Sequence, residues 1–78
     1  MRLTALIGEQ NLKFVFNGFP EVFAGYCLTV EELLDHTQEN HSSVIVEING
    51  RFVNRRDYMT RSIVEGDRVE FIHPCFGG

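Results

Sequence analysis

Apolar and polar residues alternate over positions 12–17, with Leu12, Phe14 and Phe16 on one side and Lys13, Val15 and Asn17 on the other. A period of two predicts a half-buried β-strand. Asn17-Gly18 follows, a pair suited to a tight hairpin because both central positions of such a turn need positive φ, and positions 21–26 read as the extended return. A weaker alternation at positions 1–7, closed by a turn at 8–11, predicts a further strand in front.

The period then lengthens. Positions 28–40 predict a helix that puts Val30, Leu33, Leu34 and Thr37 on one face and turns Glu31, Asp35, Gln38 and Glu39 to water. Thr29 as N-cap with Glu32 three residues on makes a capping box, and Leu28 against Leu33 makes a hydrophobic staple. That apolar stripe is core and not a cofactor box. His36 and His41 near the helix end suit its dipole, so we assign them a structural role and not a catalytic one.

Positions 44–48 are rich in β-branched residues and too short for a helix, which predicts a buried strand turned by Asn49-Gly50 into a short return at 51–53. Asn54 is placed to cap a brief helical turn through Asp57 and Tyr58, with Ile63 and Val64 tucked inward. Glu65-Gly66-Asp67 reads as a turn feeding a last strand at 68–73, where Val69 and Phe71 alternate with Glu70 and Ile72. Two groups of strands around one amphipathic helix predict an α+β domain, a mixed sheet with the helix across one face in the manner of a ubiquitin-like roll.

Composition narrows the class without changing this outline. The 78 residues suffice for one modest core and no second domain. A hydrophobic content of 44%, with seven Phe and two Tyr, suits a globular chain, and no apolar run approaches bilayer length. With no secretion signal at the N-terminus, we expect a soluble, cytoplasmic protein. Eleven acidic against seven basic residues give a net charge of −4, which repels nucleic-acid phosphates. Arg51, Arg55, Arg56, Arg61 and Arg68 read as a solvated face balanced by Glu65, Asp67 and Glu70.

Cys27 and Cys75 are too few for a disulfide framework, and with His36, His41 and His73 they match no zinc spacing, so no metal is expected. Cys75 could exchange with a partner's persulfide, although an ordinary exposed thiol is the plainer reading.

The chemistry lies in the last residues. Pro74 cannot donate to a sheet ladder, so residues 74–78 should leave the fold as a flexible tail. Gly77 and Gly78 have no Cβ to obstruct a narrow cleft, which suits delivery of the terminal carboxylate into another protein's active site. Such a carboxylate becomes an electrophile once ATP converts it to an acyl adenylate. A glycine end alone is commonplace, because termini fray.

In order, Lys13-Phe14-Val15-Phe16-Asn17-Gly18, Leu28-Thr29-Val30-Glu31-Glu32-Leu33-Leu34, Val46-Glu47-Ile48-Asn49-Gly50, Val53-Asn54-Arg55, Glu65-Gly66-Asp67-Arg68-Val69-Glu70 and Gly77-Gly78 run along the chain. From about Leu12 to Gly78 it resembles the small sulfur-carrier family that includes the thiamin sulfur carrier and the small subunit of molybdopterin synthase. The resemblance implies a carrier with no catalytic side chains and no bound cofactor. Gly78 would take sulfur as a thiocarboxylate, after adenylation by a partner enzyme of the ThiF or MoeB type that uses ATP.

A sulfur donor such as a cysteine desulfurase and a sulfur-accepting biosynthetic enzyme would be the other partners. Gly77 would be a steric requirement within a tail that includes Cys75. Phe76, with Phe52 and Ile72, would supply apolar docking area; core is an equal reading for Phe52, as it is for Phe71.

Residues 1–11 form an N-terminal extension to that pattern. Since the family's first strand is flanked on both sides, an added strand must join an edge, cross a face or mediate a dimer. A second alignment makes positions 1–7 the first strand and 12–17 the second; the spacing from Gly18 to Thr29 favours the first. The lead-in His73-Pro74-Cys75-Phe76 departs from a standard thiamin carrier, which leaves thiazole formation and sulfur amino acid synthesis both open as destinations. A ubiquitin-like modifier or a docking module without sulfur transfer is the alternative function.

Overall fold

The computed structural model describes residues 11–25, 27–37 and 43–74. Strands β1 (Asn11–Phe16) and β2 (Phe19–Ala24) form the first hairpin, and β3 (Leu28–Thr29) runs straight into helix α1 (Val30–Thr37). Then come β4 (Ile45–Ile48), β5 (Arg51–Val53), a 3-10 turn at Arg55–Asp57, β6 (Ser62–Ile63) and β7 (Arg68–Ile72). Five strands make one sheet in the order β2-β1-β7-β4-β5, while β3 and β6 pair as a separate small ladder. β7 lies in the middle, parallel to β1 and antiparallel to β4.

Both long hairpins turn as their Asn-Gly pairs predict. Asn17 and Gly18 have φ of 50° and 87°, and Asn49 and Gly50 have 55° and 81°. Two successive positive values give a turn whose twist matches that of the flanking strands. Because β1 has β2 on one side and β7 on the other, it holds the interior position that the first alignment gave the strand expected at 12–17, and it starts one residue earlier, at Asn11. The strand expected at positions 1–7 lies outside the described residues.

The core forms where the periodicities meet. Val30, Leu33 and Leu34 of α1 pack in one buried cluster with Leu12 and Phe14 of β1, Val46 and Ile48 of β4, and Val69 and Phe71 of β7. A helix of eight residues is too short to be stable alone, so its start must be well satisfied. The Thr29 N–H donates to Glu32 Oε1 at 2.8 Å and the Glu32 N–H to Thr29 Oγ1 at 3.1 Å, closing the capping box. The Val30 N–H donates to the Arg61 carbonyl at 3.0 Å and the Glu31 N–H to the Tyr58 carbonyl at 2.9 Å. All four donors that a helix start leaves without an intrahelical acceptor are thus paired. Thr29→Ala is expected to cost about 1 kcal/mol, and Thr29→Ser much less, read as shifts of the urea midpoint.

Three expectations are corrected. Asn54 makes no side-chain cap; its own carbonyl accepts the Asp57 N–H at 2.9 Å, which closes so short a turn without help. Val64 is exposed and not tucked in, since Ile63 fills the inward place and the next residue of an extended chain points the other way. Asp67 does not balance the arginines at the surface. It is buried, and its carboxylate accepts from Asn49 Nδ2 and from the Val64 N–H, each at 2.9 Å. Those bonds repay the desolvation that would otherwise forbid burying the group.

Candidate functional site

The chain reaches its tail through β7, so the site begins with what holds that strand. Val69 and Phe71 point into the core, and Arg68, Glu70 and Ile72 point to the outer face. On the β4 side the ladder runs from Ile48 opposite Val69 to Ile45 opposite Ile72. On the β1 side it holds only Val15 opposite Arg68 and Phe16 opposite Val69, because β1 then turns away.

Asn17 continues the contact beyond that point. Its backbone N–H donates to the Val69 carbonyl at 2.9 Å, and its side-chain Oδ1 accepts the Phe71 N–H at 2.9 Å. Asn49 grips the other end of the strand. Its N–H donates to the Arg68 carbonyl at 2.8 Å, and its Oδ1 accepts the Arg68 N–H at 2.9 Å. The Phe71 ring meets Phe16 edge-on, with centroids 4.9 Å apart, which fixes its side chain in the core.

Both asparagines were legible only as turn residues. The further signal is the amide itself, which can donate and accept where a glycine at the same φ can do neither.

The docking residues divide. Phe71 is core, 5% exposed, whereas Phe52 is 62% exposed, so the core reading of Phe52 fails. The cause is register: Val53 opposite Val46 takes the inward place, and Phe52 opposite Glu47 faces out. Ile72, at 37% exposed, lies on that same outer face. β4 separates the two, so Phe52 and Ile72 share a face without touching as neighbours. Phe52 also borders an open cleft of about 490 Å³ with Arg51, Asp57 and Arg61, and among the described residues no histidine or cysteine lines it.

Cys75, Phe76, Gly77 and Gly78, and with them His41, lie outside the described residues. His36 is exposed at the end of α1 with its ring 4.8 Å from that of Phe23, a packing contact beside the predicted dipole role. Cys27 is an exposed free thiol. Among the described residues no three His, Cys, Asp or Glu side chains gather around a metal-sized site. Among them, too, no helix is long and apolar enough to cross a membrane.

Comparison with known proteins decides what this framework belongs to. The family model described as "ThiS family" matches residues 14–78, from the middle of β1 to the diglycine. The chain belongs to the ThiS family. Among solved structures it is similar to the thiamine biosynthesis protein ThiS from Geobacter metallireducens, at 32% identity and a TM-score of 0.77. The aligned part covers 86% of this chain and 100% of that one. No curated protein matches.

The mixed sheet with α1 across one face is accordingly the β-grasp fold of ThiS-type sulfur carriers. Membership in the ThiS family implies dealings with a ThiF-type activating enzyme and with sulfur-transfer partners.

Proposed function

We propose that this chain carries sulfur as a thiocarboxylate on Gly78 and is the co-substrate of its partners and not an enzyme. The observation that carries the reading is the family match, which extends from residue 14 past β7 to Gly78. A carboxylate oxygen of Gly78 attacks the α-phosphorus of ATP in the partner's site, and pyrophosphate leaves. The terminal sulfur of a persulfide, such as that of a cysteine desulfurase, then attacks the acyl carbon and expels AMP. A thiol cleaves the resulting S–S bond and takes the other sulfur into a disulfide, leaving the thiocarboxylate on the carrier.

Gly77 keeps the path to the active site narrow, Cys75 belongs to the same tail, and ATP is bound by the partner and not by this chain. Phe76 serves as the anchor at the cleft mouth, with Phe52 and Ile72 adding apolar area on the outer sheet face. We place the protein in the cytoplasm with its ATP-dependent partner.

The thiamine biosynthesis protein among its structural neighbours supports delivery to the thiazole of thiamin. A sulfur amino acid is the other destination, which stays open because the His73-Pro74-Cys75-Phe76 lead-in departs from a standard thiamin carrier.

Incubation with a ThiF-type enzyme, ATP and a persulfide donor should replace one oxygen by sulfur at Gly78, seen by intact mass and located by fragmentation. An unchanged mass in a mixture that loads a known ThiS would overturn the proposal. Isopeptide adducts on lysines would point to a modifier instead.

A further inference from the structure

We infer that Asn17 is a positioning residue for the tail: its side chain sets the point at which the chain leaves the sheet. Along β7 successive amides face opposite neighbours, Arg68 toward Asn49 and Phe71 toward the β1 side. A parallel ladder that continued past Val69 would offer Phe71 a β1 carbonyl. At that level β1 has already entered its turn, with φ of 50° at Asn17. The acceptor the Phe71 N–H finds is the carboxamide oxygen of Asn17, at 2.9 Å and 54 residues away in the chain. One side chain thus adds a rung where the backbone can supply none.

The place of that rung gives it consequence. Phe71 is three residues before Pro74 and seven before Gly78. On the β4 side pairing runs to Ile72, so with Asn17 both sides of the strand are held nearly to its end. Without it the β1 side would be held only to Val69, and the segment below the tail would gain conformations that a partner must restrict on binding. Asn17 therefore acts by preorganisation. It touches no reacting atom.

This inference rests on the carrier reading, and its test separates the two. Asn17→Gly keeps a residue at ease with positive φ and removes the acceptor; Asn17→Asp keeps an acceptor and tolerates the turn. In Asn17→Gly, hydrogen exchange at the Phe71 amide should quicken roughly two- to tenfold beyond any change at Val46 and Ile48, the range for losing one such hydrogen bond. Carrier-dependent ATP–pyrophosphate exchange by a ThiF-type enzyme should show KM for the carrier raised by a similar factor, with kcat within about twofold of the original. Asn17→Asp should restore both.

Thr29→Ala, which loosens the fold away from β7, should leave KM unchanged while the chain stays folded. Equal exchange changes at Phe71, Val46 and Ile48 would overturn the inference, as would an unmoved KM in Asn17→Gly or a KM raised as much by Thr29→Ala. A parent chain that supports no pyrophosphate exchange would sink the carrier reading, and the Phe71 amide would still decide the clamp.

Discussion

Deleting Gly77 and Gly78 is expected to abolish sulfur loading, lowering its rate by more than about 10²-fold, while leaving the body of the protein as stable as before. Two residues of extended chain span about 7 Å, so the shortened carboxylate stops that far from the phosphate it must attack. A misplacement of ~1 Å can already cost about 10²-fold in a positioned reaction. Closing that gap by advancing the chain would pull Phe76, now the terminal residue, off its anchor and carry a Cβ and a ring into the path the glycines keep narrow.

β7 ends at Ile72, so the core and the two asparagine grips remain intact. The unfolding free energy should stay within about 0.5 kcal/mol of the parent. Intact mass after the loading reaction and a urea melt give the two halves of the result. Loading of the shortened chain at the parent rate would remove Gly78 from the mechanism.

Leu34→Ala should act in the opposite way, sparing the tail and striking the body. Leu34 is fully buried at 0% exposure on the inner face of α1, within a core to which β1, β4 and β7 all contribute. Truncating such a leucine costs about 2–5 kcal/mol, the transfer of the lost carbons plus the cavity they leave. A 78-residue domain has roughly 4–12 kcal/mol in total, at about 0.05–0.15 kcal/mol per residue. The substitution therefore removes between about a sixth of the stability and all of it. A urea midpoint lowered at unchanged m-value would show it, and an unmoved midpoint would mean that the helix is not anchored as described.

The parts of the molecule legible in the sequence are those where one physical signal dominates a short window. Alternation at Leu12, Phe14 and Phe16 locates β1, the Asn-Gly pairs locate both hairpins, and Thr29 with Glu32 locates the helix start. Each is a contact between residues near in sequence or a period over several. The ladder of β3 and β6 is two residues long on each side, too short to show any period.

Asp67 illustrates the other limit. In the chain it is one acid among eleven, and only the fold brings Asn49 against it from 18 residues away. Val64 was expected inward and Phe52 left open for a related reason: an apolar residue in or beside a strand of two or three residues can face either way until register is fixed. The candidate site was readable in its chemistry, as a diglycine, but not in its support. That support depends on the Phe71 amide finding a side chain distant in sequence.

The central place of β7 carries a consequence for how the protein is made. The β1–β2 and β4–β5 hairpins can each close early from local pairing, but they share no neighbour until residues 68–72 have been synthesised and threaded between them. Until then each hairpin has an open flank and a half-covered apolar face, and contacts of such long sequence separation are slow to form. Insertion of one strand zips both halves together, so the domain should gain its stability in a single late event and lose it as a whole.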